Sequence, residues 1–284
     1  FALIIWDQNL GKLFAARDPI GIRPLFYGYS SFDGKIMFAS EVKVLSPLCQ
    51  EVHAFPPGHY YDGDGQFICY RKISAVTEFS TDSQEKVLIE IRERLIEAVR
   101  KRLVADVPVG YLLSGGLDSS LVCGIAAHVL KKPLVTFAVG LHQNPIDLPY
   151  AKKVADFIHS EHHEVLFDRL DTIGCVRDVI WHAESWDITT IRASIGMYIV
   201  CKYIKQKSKI KVLLTGEVSD EIFGYKYTDF APNAAEFQNE SVKRLDELYM
   251  YDVLRADRCI SAHSLEARVP FADLDFVSYC MAIP

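Results

Sequence analysis

The chain opens with short apolar runs separated by turn residues. Phe1-Ala2-Leu3-Ile4-Ile5-Trp6 reads as a buried strand, Gln8-Asn9-Leu10-Gly11 as a turn, and Lys12-Leu13-Phe14-Ala15-Ala16 as the returning strand. Residues 24–29 and 35–39 form a second pair about Asp33-Gly34, and residues 59–61 and 66–70 a third about Asp62-Gly63-Asp64-Gly65. Residues 40–45 predict a short helix. Lacking long helical periodicity, this stretch predicts half of an antiparallel sandwich.

The texture then changes. Residues 75–83 are polar and patternless and read as a linker, with Thr81 and Gln84 spaced as a capping box. Leu88, Ile91, Leu95, Val99 and Leu103 recur at three and four, which predicts a helix ending at Asp106, before Val107-Pro108. Apolar runs at 109–113, 134–139, 164–167 and 211–214 alternate with helical patterns near 118–130, 150–158, 173–182 and 193–206. Strand–helix alternation implies a parallel sheet covered on both faces, with ligands bound beyond the carboxyl ends of its strands. Two domains are expected, 1–76 and 77–284.

Composition narrows the function classes. A formal charge of -6 and a pI near 5.9 argue against nucleic-acid binding, which is driven by basic surface. No apolar run approaches the ~20 residues of a membrane span. The seven cysteines form no C-x-x-C pair, so most read as small apolar fillers in a reducing, cytoplasmic setting. Trp6, Trp181 and Trp186 are expected in the core, and His142, His159, His162 and His163 on a solvated face. The chain starts at Phe1 inside a strand-like run and stops at Ile283-Pro284, and both ends read as cuts in a longer protein.

Chemistry concentrates at Leu112-Leu113-Ser114-Gly115-Gly116-Leu117-Asp118-Ser119-Ser120, where a buried strand turns into a helix. Two glycines permit a tight turn and close ligand approach, and Ser114, Ser119, Ser120 and the helix amides make a cradle for phosphate. Asp118 would repel phosphate alone, so its natural role is to hold magnesium. The bland alternative is a Gly-Gly turn with a serine cap. The string resembles the pyrophosphate loop of enzymes that split ATP into AMP and pyrophosphate, and no Walker Gly-Lys-Ser/Thr is present.

Thr215-Gly216-Glu217-Val218-Ser219-Asp220-Glu221 follows the last apolar run at another strand end and resembles the Ser-Gly-Glu-Gly-Ser-Asp-Glu motif of asparagine synthetases. An acidic helix start favoured by the dipole is its bland alternative. The resemblance implies that Asp220 shares magnesium with Asp118, that Thr215 and Gly216 contact the nucleotide, that Glu217 assists at the reacting acyl centre, and that Glu221 touches the amino-acid substrate. Val218 stands where the family has glycine; if that position needs a positive φ, it is strained. Asp187-Ile188-Thr189-Thr190-Ile191-Arg192-Ala193-Ser194 also matches, implying that Arg192 binds pyrophosphate and that Thr189 and Thr190 line the substrate site. Thr136-Phe137-Ala138-Val139-Gly140 resembles the strand that reads adenine, with Val139 and Leu112 flanking the base; plain core is the alternative for those two. Arg255-Ala256-Asp257-Arg258 and Ser264–Phe271 resemble family segments with a weak role in shaping the aspartate side of the pocket. Ala16-Arg17-Asp18-Pro19-Ile20-Gly21-Ile22-Arg23-Pro24-Leu25 is similar to a stretch common to N-terminal-nucleophile amidotransferases.

Taken together, the resemblance implies an α/β synthetase domain of the adenine-nucleotide alpha hydrolase type, with its parallel sheet and pyrophosphate loop, preceded by part of an antiparallel α+β N-terminal-nucleophile amidotransferase domain. It implies ATP and magnesium, aspartate as substrate, and glutamine or ammonia as nitrogen source. It leaves assembly open, a homodimer included. Cys49 and Cys69 are internal and lack a free amine, so this chain as given is expected to lack glutaminase activity. A β-lactam-forming synthetase on the same scaffold and a degenerate ATP-binding module are the alternatives.

Overall fold

The computed structural model describes residues 1–284. Its front part holds β1 (Ala2–Asp7), β2 (Lys12–Arg17), β3 (Phe26–Ser30), β4 (Ile36–Ala39), α1 (Val42–Leu45), β5 (Cys49–Ala54), β6 (His59–Tyr61) and β7 (Phe67–Cys69). These make two antiparallel sheets, ordered β1-β2-β6-β7 and β4-β3-β5. Ala15, Leu25, Phe55 and Tyr61 form a small core between them, filled by Tyr27, Phe38 and Phe67.

Two expectations fail here for one reason. The Phe1–Trp6 run is not buried: Ile5 is 54% and Trp6 58% exposed. β1 is the outer strand of its sheet, and the small core lies over β2 and β6 instead. Trp181 and Trp186 are exposed as well, at 62% and 91%. Val179 and Ala183 point inward on their helix, and Trp181, two residues from each, falls on the opposite side.

The second part contains α2 (Gln84–Arg102), β8 (Val109–Leu112), α3 (Leu117–Leu130), β9 (Val135–Leu141), α4 (Leu148–Phe157), β10 (Glu161–Phe167), α5 (Arg169–Ala183), α6 (Ile188–Lys207), β11 (Val212–Leu214), α7 (Ser219–Phe223), α8 (Ala234–Glu247), α9 (Asp252–Ser261), β12 (Glu266–Arg268) and α10 (Leu274–Met281). Its sheet is wholly parallel in the order β10-β9-β8-β11-β12. Period-two alternation divides β11 between two cores: Val212 and Leu214 enter one, Leu213 the other. Sequence patterning missed β12, α8, α9 and α10.

Helix α2 departs from expectation at both ends. Ser83, not Thr81, caps it, accepting from the Lys86 amide. It stops at Arg102 rather than Asp106, where the Arg268 guanidinium takes up the carbonyls of Arg102 and Val104. Of the four histidines, His142 and His159 are exposed, but His162 and His163 are half-buried on β10. His162 Nδ1 lies 2.9 Å from Thr136 Oγ1, and His163 stacks on Phe137 at 5.0 Å. Burial lowers the His162 pKa. Six cysteines are buried, Cys69 is exposed and all seven are free. No helix is long and apolar enough to cross a membrane.

Charged side chains tie the front sheets to the parallel sheet. Arg23 pairs with Asp257 and donates to the Ala267 carbonyl at 2.8 Å. Arg258, 3% exposed, donates to the Ser40 carbonyl and pairs with Glu184 at 3.0 Å and Glu41 at 3.2 Å. Glu184 in turn accepts from the Val42 and Lys43 amides. The segment from Arg17 to Arg23 is held from within: the buried Arg17 donates to the carbonyls of Arg23, Phe55 and Gly21. Asp18 Oδ1 accepts from the amides of Ile20, Gly21 and Ile22.

Candidate active site

Two strand ends build the site. β8 leads into Leu113 and the turn Ser114-Gly115-Gly116, and α3 begins at Leu117. Gly115 has φ +83, and a Cβ there would sit 2.4 Å from the Ala151 amide nitrogen, so only glycine fits. Within the turn, Ser119 Oγ accepts from the Ser114 amide at 3.2 Å and lies 2.9 Å from Ser114 Oγ.

β11 pairs with β8 (Val212 with Val109, Leu214 with Tyr111), which brings the acidic turn against the glycine loop. A Cβ on Gly216 would be 2.7 Å from the Ser119 amide nitrogen and 3.0 Å from the Asp118 side chain. Ser219 Oγ donates to Asp118 Oδ1 at 2.7 Å. Val218 between them has φ +83 and ψ -13 and is 2% exposed, so the strain expected of a positive φ at this position is present.

A cavity of about 400 Å3 opens at this junction. Leu112, Ser114, Asp118, Ser119 and Val139 line it from one side, and Thr215, Gly216, Glu217, Asp220 and Glu221 from the other. Gly115, Gly116 and Ser120 belong to the loop but lie outside this lining. Ser120 Oγ and Thr215 Oγ1 are buried without any hydrogen-bond partner, an unusual state for a hydroxyl. A second cavity, about 420 Å3, holds Thr189 and Thr190 and shares Ala193, Glu221, Tyr225, Asp252 and Arg255 with the first. Arg192 is exposed and lines neither cavity.

Asp252, Arg255 and Tyr225 are the wall residues that sequence reasoning missed or left with a weak role. Arg255 was visible as part of a matching segment. Asp252 gave no signal, since an acid at a helix start is ordinary.

Negative charge dominates the junction. Asp118, Asp147, Glu217, Asp220, Glu221 and Asp252 line the first cavity, and Arg255 is the one cation in its lining. Arg255 Nη2 pairs with Glu217 Oε2 at 2.9 Å and with Asp252 Oδ1 at 2.8 Å. Burial raises the Glu217 pKa, and Arg255 pulls it partly back. Burial raises that of Asp220, with Asp118 and Asp252 adding like charge. The Glu221 carboxyl is pushed up to about 7, first by burial and further by Asp252, against the Tyr225 hydroxyl that donates to it at 2.6 Å. No group of three or more His, Cys, Asp or Glu is arranged to hold a metal by itself. Two carboxylates completed by substrate phosphates are how magnesium is usually held, and Asp118 and Asp220 fit that pattern.

The asparagine synthase family model matches residues 90–239 and 229–284. The chain belongs to the asparagine synthase family. A glutamine amidotransferase domain model matches residues 1–47. The chain is 45% identical over 304 residues to a probable glutamine-hydrolyzing asparagine synthetase of Schizosaccharomyces pombe, covering 100% of this chain and 54% of that protein. It is 43% identical to glutamine-hydrolyzing asparagine synthetase 1 of Saccharomyces cerevisiae, covering 100% and 55%. For the Gallus gallus asparagine synthetase the figures are 43%, 100% and 56%. The chain thus spans about half the length of the curated relatives it matches. For this member of the asparagine synthase family, the junction holds a tight glycine turn, the carboxyls of Asp118 and Asp220 in one cavity lining, and the buried Glu221 with its carboxyl pushed up to about 7.

Proposed function

We propose that the whole protein converts L-aspartate to L-asparagine at the expense of ATP, releasing AMP and pyrophosphate, with ammonia drawn from glutamine. The observation that carries this reading is the lock between the acidic turn and the glycine loop, made by Gly216 against Ser119 and by Ser219 on Asp118. It sets carboxylates beside a phosphate cradle, the juxtaposition that activation of a carboxylate by ATP requires. Residues 1–76 are assigned to the amidotransferase domain and 77–284 to the synthetase domain.

ATP is assigned to the first cavity, with its adenine between Leu112 and Val139. Its phosphates lie over Ser114, Gly115, Gly116, Ser119 and Ser120, and Thr215 and Gly216 close the site. Thr215 Oγ1, which belongs to the cavity lining and lacks a partner, is free to bond a ligand. Aspartate is assigned to the neighbouring cavity, at Thr189, Thr190 and Glu221. Its β-carboxylate oxygen attacks the α-phosphorus; the O–P bond forms as the bond to pyrophosphate breaks. Asp118 and Asp220 would hold Mg2+, which when bound offsets charge on the phosphate oxygens. Arg192, exposed beside Ala193, is assigned to the departing pyrophosphate. Ammonia then attacks the β-aspartyl-AMP carbonyl, the C–N bond forms, AMP leaves, and Glu217 accepts the proton. Its pKa, raised by burial yet restrained by Arg255, suits that exchange.

The partners are small molecules; the acidic surface charge suits neither nucleic acid nor an anionic membrane, and a cytoplasmic setting fits the free cysteines. The test uses the whole protein with Mg-ATP, aspartate and ammonium chloride, quantifying AMP, pyrophosphate and asparagine together. Equal AMP and asparagine, only with aspartate present, is the expected result. ADP in place of AMP would refute the assignment of the glycine loop, and AMP without asparagine would refute the choice of substrate.

A further inference from the structure

Among residues other than glycine with positive φ, Val218 stands apart. Lys131, Asn144, His159, Glu184 and Ser264 lie between +51 and +59, the ordinary left-handed region, whereas Val218 is at +83 and is the one β-branched residue of the group. Its neighbours are each fixed to a different partner. Gly216 abuts the glycine loop, Glu217 pairs with Arg255 and Ser219 bonds Asp118. Val218 itself joins the large core that includes Ile222, Leu245, Leu248 and Val253. A glycine here would adopt the same backbone without strain but would leave the turn without its anchor in the core, held only through its neighbours.

We propose that Val218 is a positioning residue: its isopropyl group, seated in the core, clamps the acidic turn in its ligand-ready shape before any nucleotide arrives. The strained backbone is held because core burial of the side chain opposes its relaxation. The turn then needs no ordering when ligand binds, so affinity for the phosphate end of the nucleotide benefits. This rests on the first cavity being the nucleotide site, and the experiment separates the two ideas.

Val218→Gly and Val218→Ala are compared with the unsubstituted chain. Val218→Gly trades packing for strain relief and is expected to melt close to the unsubstituted chain. Val218→Ala keeps the unfavourable φ without the anchor and should melt lowest of the three. Amide exchange at Ser219, Asp220 and Glu221, measured without ligand, should quicken about fivefold or more in Val218→Gly, the freedom a glycine backbone restores. Calorimetry with the magnesium complex of α,β-methylene-ATP should show affinity about fivefold weaker in Val218→Gly, with a larger entropic penalty. Unchanged exchange in Val218→Gly overturns the clamp whatever the nucleotide does. So does equal or tighter nucleotide binding by Val218→Gly. Faster exchange with no nucleotide binding by the unsubstituted chain upholds the clamp and overturns the assignment of the cavity.

Discussion

Glu221 offers the sharpest quantitative test. Its carboxyl, 5% exposed, is pushed from an ordinary 4.5 to about 7. Neutral Glu221 is therefore the form that the fold prefers. The sign follows: this group's contribution to stability is fully present below pH 4.5 and is lost as pH rises through about 7. At about 1.4 kcal/mol per pKa unit, a shift of roughly 2.5 units is worth about 3 kcal/mol between the two limits. Glu221→Gln mimics the neutral form and can still accept from the Tyr225 hydroxyl. In urea denaturation without nucleotide and with EDTA, the variant should match the native chain below about pH 4. It should then gain on it progressively, by about 3 kcal/mol at pH 8. The comparison cancels titrating groups remote from Glu221; Asp252 and Tyr225, which touch it, respond to the substitution and belong to the same effect. A stability difference that stays flat from pH 5 to pH 8, or that shifts toward the native chain, would refute the burial of an ionisable carboxyl at this wall.

Other outcomes follow from the same geometry. Gly216→Ala places a Cβ 2.7 Å from the Ser119 amide nitrogen, so binding of magnesium α,β-methylene-ATP should weaken about tenfold by calorimetry, equivalent to about 1.4 kcal/mol of displaced loop. Arg255→Met removes the cation that restrains Glu217, whose pKa then climbs further; the acid limb of ammonia-dependent synthesis by the whole protein should move to higher pH, and an unmoved limb would count against Glu217 as base. Arg258→Met strands Glu41 and Glu184 without their shared guanidinium, and urea denaturation should show a loss of about 3 kcal/mol. A loss under ~0.5 kcal/mol there would mark the cluster as an ordinary surface network.

The alternation of strands and helices from β8 to β11 was legible because buried strands carry continuous apolar runs and the helices between them carry three-four spacing. The glycine loop was legible because Gly115-Gly116 fall together with Ser114, Asp118, Ser119 and Ser120 at a strand end; the glycines alone would mark only a turn. In the wall, Asp252 was not legible, because an acid at a helix start is ordinary, and Arg255 showed only through its matching segment. β12 is three residues long, and two of them are charged, so no period could reveal it. Trp6 misled because an apolar run reports a preference for burial and not which strand of a sheet receives cover. Arg192 is exposed and lines neither cavity, so its assignment to pyrophosphate rests on its place in the matching segment.

The pairing of β8 with β11 has a kinetic meaning. The phosphate turn emerges from synthesis about a hundred residues before the carboxylates that complete it, so the two halves meet only through a long-range, slow-forming contact. A nascent or misfolded chain can present the cradle without the acidic turn that closes it. Nucleotide capture would then report that the central strands have closed, and at a hundred times its Kd it would add about 2.7 kcal/mol to the finished fold alone. Through this one strand pair, a nucleotide bound as proposed would selectively stabilise correctly completed molecules.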